Sequence, residues 1–127
     1  MADTKSFLRF DKINGDSSDK EHRGWLDLES YFFELGEHGK RGEQHVGFTT
    51  NDQPALHDLR LAMTTGRHIK DATFEAFDSR GMLGRFLFDD VLVTVMEYGR
   101  TSDADSTSMA RVQFGFKSMK SFYRSNR

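Results

Sequence analysis

Apolar residues recur at every second position through most of this chain, a spacing that predicts strands. Ser6 to Lys12 alternates around Leu8 and Phe10, and Asn14-Gly15-Asp16-Ser17-Ser18 follows with turn chemistry. A long strand is expected from Trp25 to Leu35. Leu26, Leu28, Ser30 and Phe32 fall on one side of it. Trp25, Asp27, Glu29, Tyr31 and Phe33 fall on the other, a face polar in the middle and aromatic at its ends. Gly36 to Gly47 is Gly-rich and charged, as expected of an exposed loop or arm, with a short strand around Phe48 behind it.

One segment changes period. After Asn51-Asp52-Gln53-Pro54, the residues Leu56, Leu59 and Met63 recur at helical spacing. Asp52 or Gln53 can cap this helix, Pro54 falls in its first turn, and Gly66 supplies a left-handed stop, which places it at about 53–65. Alternation resumes from Ile69 to Asp78, with Ala72, Phe74 and Ala76 against Thr73, Glu75 and Phe77, and Asp78-Ser79-Arg80-Gly81 reads as a hairpin connection. From Leu83 to Tyr98 the apolar phase moves from Phe86 and Phe88 to Val91, Val93 and Val95, so a bulge or break is expected at Asp89-Asp90. A polar loop, Thr101 to Ser108, precedes a last alternating run from Met109 to Tyr123, with Ala110, Val112, Phe114 and Phe116 inward. These elements predict a mainly β fold in a single domain, 1–127: a small β-barrel or sandwich of about seven strands with one flanking α-helix.

Composition sharpens this picture. Only 36% of the residues are hydrophobic, but twelve are Phe, so a dense core can be built from few side chains. With 18 basic and 20 acidic residues the net charge is −2, which supplies no long-range field for nucleic acid or anionic lipid. Cys is absent, which excludes disulfides and thiolate sites. Val91 to Met96 is too short an apolar run for membrane insertion, and Met-Ala-Asp-Thr-Lys-Ser carries no apolar signal-peptide region. Residence in a cytoplasm-like compartment is expected, with any export left to a dedicated machine.

Candidate chemistry is sparse. His22, His38, His45, His57 and His68 form no His-x-x-x-His pair and no compact cluster with carboxylates, and they read as solvated or turn histidines. Lys40 in Gly39-Lys40-Arg41 lacks the following Ser or Thr of a phosphate loop. Asp89-Asp90 and Asp103-Ala104-Asp105 read as strand-end and loop charges, and no Ser sits in a Gly-x-Ser-x-Gly elbow. Lys117, Lys120, Arg124 and Arg127 alternate with Met119, Phe122 and Tyr123 as one wet strand face would. No catalytic residue, metal ligand or cofactor is expected, and the chain is not read as an enzyme.

The order of elements resembles a known family. Phe7-Leu8-Arg9-Phe10-Asp11-Lys12-Ile13-Asn14-Gly15-Asp16-Ser17 resembles the opening of Hcp proteins, the tube proteins of bacterial type VI secretion systems. Asp19-Lys20-Glu21-His22, the strand from Trp25, the Gly-rich loop, Phe48-Thr49-Thr50 and the helix ending Thr65-Gly66-Arg67-His68 are similar to the family's next elements. Ala72-Thr73-Phe74-Glu75-Ala76 and the strand from Phe88 to Gly99 complete the likeness. Two features depart from it: the short stretch after the last strand and the charges Glu37, Lys40, Arg41 and Glu43 in the loop.

The resemblance implies a homohexameric ring, stacked into the inner tube of a contractile injection machine. A sheath surrounds that tube, a VgrG-type spike caps it, and its lumen has room for small effector proteins. It implies assembly in a bacterial cytoplasm and export by the machine itself. Surplus aromatics on wet faces nominate Trp25, Tyr31, Phe33, Phe122 and Tyr123 for subunit contacts. Gly36, Glu37, His38, Gly39, Lys40, Arg41, Gly42 and Glu43 are the candidate ring-stacking loop. A small-ligand-binding β-barrel with the Phe-rich interior as its pocket is the alternative, and a metal-dependent hydrolase a third reading.

Overall fold

Residues 4–35, 44–100 and 108–124 are described by the computed structural model, and within them lie seven strands and one helix. In chain order these are β1 (Lys5–Phe10), β2 (Leu26–Glu34), β3 (His45–Asn51), α1 (Ala55–Thr65), β4 (Ile69–Asp78), β5 (Gly81–Arg100), β6 (Ser108–Gly115) and β7 (Ser118–Tyr123). The strands pair antiparallel in the order β4-β1-β2-β3-β6-β5-β7, and β4 also pairs with β5. That extra pairing joins the ends of a six-strand circuit into a closed barrel, with β7 laid against β5 outside it. The mainly β class and the single flanking helix agree with the alternation of the sequence.

Alternation places Leu8, Phe10, Ala72, Phe74 and Ala76 inward, and all are buried. Phe10, Phe48, Phe74, Phe88 and Phe114 are fully buried and fill the barrel. Their rings meet edge to face or tilted at 5.4–6.4 Å, as in Phe10–Phe114, Phe88–Phe114 and Phe48–Phe114. The helix packs its buried face of Ala55, Leu56, Leu59 and Ala62 against the barrel. Gly66 ends it at φ 69°, with Gly66 N–H donating to Met63 C=O and Arg67 N–H to Ala62 C=O, a Schellman closure.

Four local expectations are corrected. The alternation of β2 is not continuous: its register against β3 shifts between Leu28 and Ser30, so the inward phase passes from Leu26 and Leu28 to Phe33, with Tyr31 on the same side but left exposed. Phe33 therefore packs on Phe74, Phe86 and Phe88 at 4.9–5.6 Å, while Phe32 stands outward over Gly47. Neither Asp52 nor Gln53 caps α1. Gln53 is buried instead, donating to Thr50 Oγ1 and accepting from Asp16 N–H, which ties the β1–β2 loop to the helix entry.

In β5 the phase switch falls where expected, at Asp90, whose φ of 56° lies in the left-handed region. A second shift between Val93 and Val95 then turns Met96 toward the core in place of Val95. The run from Met109 to Tyr123 is broken at Phe116-Lys117 into β6 and β7, both antiparallel to β5. The expected polar loop, 101–107, and the Gly-rich stretch, 36–43, lie outside the described residues.

Candidate functional site

Two stretches of sheet edge have no partner among the described residues. β1 pairs with β2 only through Leu26, Asp27 and Leu28, so Glu29 to Glu34 keep one side unpaired. β7 pairs with β5 alone, from Ser118 opposite Asp89 to Tyr123 opposite Gly84, and its outer side is likewise unpaired. A row of unpaired N–H and C=O groups is a template for another strand.

Of the five exposed aromatics among the described residues, four lie on these same two strands, and the fifth, Tyr98, is on β5. Tyr31 and Phe32 on β2 are 45% and 40% exposed, and Leu35 just beyond is 52% exposed; Phe122 and Tyr123 on β7 reach 55% and 71%. Of the five residues nominated for contacts, Tyr31, Phe122 and Tyr123 are thus exposed. Phe33 is turned inward by the β2 bulge and supports Tyr31 at 5.9 Å. Trp25 is half-buried at the loop's end, edge-on to His22 with the Arg9 guanidinium 5.8 Å from its ring centre. The nominated stacking loop, 36–43, lies outside the described residues.

Sequence reasoning missed a buried polar cluster around His22. His22 is not solvated: it is 4% exposed and stacked on Phe7 at 3.9 Å. Its Nδ1 lies 2.6 Å from Asp19 Oδ2 and its Nε2 2.8 Å from Glu75 Oε1, while Arg85 Nε donates to Glu75 Oε2 at 2.8 Å. The His22 hydrogen bond, helped by the Glu21 N–H, holds the Asp19 carboxyl below the usual carboxylate range, against some desolvation. A chain of contacts from loop to β4 to β5 anchors the β1–β2 connection on the barrel. The spacing Asp19-x-x-His22 was the available signal, but Glu75 comes from a strand 53 residues away.

This cluster has the makings of a structural anchor. Its groups are paired with one another inside the fold, and among the described residues no set of three or more His, Asp or Glu could hold a metal. One depression, about 530 Å³, is open to solvent between Arg9, Asp71, Leu87, Asp89 and Lys120 on the outside of the sheet. The barrel interior is occupied by its own Phe rings, which removes the space that a small ligand would need.

The family model described as "Type VI secretion system effector, Hcp" matches residues 7–123. The chain belongs to this family. Hcp1 of Salmonella typhimurium is similar in fold, with a TM-score of 0.86 and 23% identity over 98% of this chain and 88% of that one. Hcp2 of the same organism aligns at 0.78 with 19% identity, covering 94% and 86% of the two chains. A type VI secretion system effector from Yersinia pestis aligns at 0.77 with 22% identity, covering 93% and 87%. No curated protein matches the chain in sequence. Membership in the Hcp family makes this a component of type VI secretion, and that family is one of tube proteins and not of known enzymes.

Proposed function

We propose that this chain is the subunit of a type VI inner tube, closing head-to-tail into six-membered rings that stack. The observation that carries the reading is the pair of open edges, one on β2 and one on β7, each bearing exposed aromatic side chains. The two edges differ in sequence, so a contact between β7 of one copy and the free half of β2 on the next is heterologous, and a rotation of one sixth of a turn per copy closes the ring. Tyr31, Phe122 and Tyr123 would be covered in that contact, with Phe33 setting Tyr31 from beneath and Trp25 at its margin. Stacking falls to residues 36–43, whose Glu37, Lys40, Arg41 and Glu43 offer charges of both signs. Such a tube meets a VgrG-type spike at its tip and a contractile sheath outside, and its lumen takes small effector proteins.

Size-exclusion chromatography with light scattering tests the ring, because six copies of a 14.6 kDa chain make about 88 kDa. Phe122→Ser combined with Tyr123→Ser should shift that particle to a folded monomer with unchanged circular dichroism. A wild-type chain that stays at 14.6 kDa at every concentration refutes the assignment.

A further inference from the structure

β7 is held to the barrel in an unusual way. Five of its six residues are exposed and only Met119 is partly buried, so apolar burial contributes little to keeping it in place. Hydrogen bonds fix its two ends. Lys117 N–H donates to Asp89 C=O at 2.9 Å before the strand, and Arg124 N–H donates to Leu83 C=O at 3.0 Å after it.

At that second end the Arg124 guanidinium forms a fork on Asp78, with Nη1 to Oδ1 at 2.8 Å and Nη2 to Oδ2 at 2.9 Å. Both side chains are about four-fifths covered. Asp78 is itself fixed: it closes β4, and the Arg80 N–H of the β4–β5 hairpin donates to its Oδ1 at 2.8 Å. Two parallel charge-assisted bonds impose one orientation on the arginine, and a rigid turn imposes one on the carboxylate.

We infer that Asp78 and Arg124 form a clasp that holds β7 extended and in register, ready to receive a neighbouring copy, so that opening it disables assembly while the barrel stays folded. The inference rests on the reading of β7 as an assembly edge. Tyr123 and Phe122 immediately precede Arg124, so a loose end would misplace two strongly exposed aromatics of the described surface. A strand that must first be ordered subtracts that ordering from the free energy of every contact it makes, and a clasped strand does not. Asp78 and Arg124 act here as positioning residues, touching the edge strand and not the partner.

Hydrogen exchange read by mass spectrometry in dilute solution, alongside light scattering at assembling concentrations, separates the possibilities. Asp78→Asn and Arg124→Gln should speed exchange of the β7 amides about tenfold or more, leave those of β1 and β3 unchanged, and weaken ring formation to a similar degree. Arg124→Lys keeps the charge but loses the fork, and should fall between wild type and Arg124→Gln on both measures. Unchanged β7 exchange in Asp78→Asn overturns the clasp. Faster exchange with undiminished rings overturns its role in assembly. Should the wild type form no ring at all, the assembly reading fails, while the exchange of β7 still decides the clasp by itself.

Discussion

Replacing His22 with Ala tests whether one imidazole pins the β1–β2 loop to the barrel. The ring lies parallel to Phe7 within 5° and edge-on to Trp25 and Phe77 at 4.8 and 5.1 Å. Losing these contacts costs about 1 kcal/mol beyond the area involved. The larger cost is at Glu75, 6% exposed, which would keep only Arg85 as partner for its carboxylate. A buried charge deprived of one hydrogen bond costs about 1.5–3 kcal/mol. Asp19 would simply be rewetted, since its side chain is already 35% exposed. Together these give about 2.5–4 kcal/mol, or a fall of about 9–15 °C in Tm for a chain of this length. Urea unfolding followed by far-UV circular dichroism measures the first figure and a thermal scan the second, with Asp19→Asn as a control expected to lose much less. A His22→Ala loss no greater than the control's would mean that the loop is held by its backbone hydrogen bonds and not by this cluster.

Phe88→Ala should destabilise by about 3–5 kcal/mol in the same urea assay, because the fully buried ring meets Phe33, Phe114 and Phe116 and leaves a cavity that the closed barrel cannot collapse. Gly15→Ala should cost about 2–3 kcal/mol, since its Cβ would stand 2.3 Å from the Trp25 carbonyl oxygen. Gly47→Ala should cost less, as only the outward Phe32 ring has to swing away. Acid should act on the Asp78–Arg124 pair in one direction. The Arg124 fork, then the Arg80 N–H, hold the Asp78 carboxyl far below its ordinary value, so its contribution is complete above that value and fades as pH falls beneath it. The stability gap between wild type and Asp78→Asn should therefore stay constant from neutral pH to about pH 5 and narrow below about pH 4.

Period-2 alternation revealed most of this barrel because each strand has one face on a Phe-filled core. Ile69 to Asp78 was legible to the residue, since an unbroken alternation meets a nearly unbroken ladder. The failures sit at bulges. A shift between Leu28 and Ser30 reverses the side to which every later residue of β2 points, and nothing in Leu-Asp-Leu-Glu-Ser marks it. Thr50 helps to accommodate it, its hydroxyl donating to the Asp27 carbonyl from the neighbouring strand, and that is a tertiary contact. At Asp90 the phase change was visible only because Phe88 and Val91 are both strongly apolar. His22 was misjudged for a similar reason: its loop looks polar locally, but its partners Phe7, Phe77 and Glu75 arrive from β1 and β4. For the proposed assembly surface, the aromatic surplus of β2 and β7 was readable, and which of those rings the fold consumes was not.

The division between consumed and surplus aromatics bears on how such a subunit can work. Phe33, Phe74, Phe86, Phe88 and Phe114 form one network of ring contacts, each link 4.9–5.8 Å long, that crosses the barrel from β2 through β4 and β5 to β6. Tyr31 and Tyr123 both hang from the same network, on Phe74 at 4.6 Å and on Phe86 at 5.4 Å. The rings proposed to meet a neighbouring copy are therefore braced by the rings that hold the barrel shut. Close-packed interiors transmit displacement instead of absorbing it. A cavity opened at Phe86 should thus loosen both open edges together. The same truncation at Phe10, whose ring contacts are Phe48 and Phe114, should cost stability and leave the edges aligned. Phe86→Ala that weakens rings no more than an equally destabilising Phe10→Ala would separate core from edge and contradict the argument.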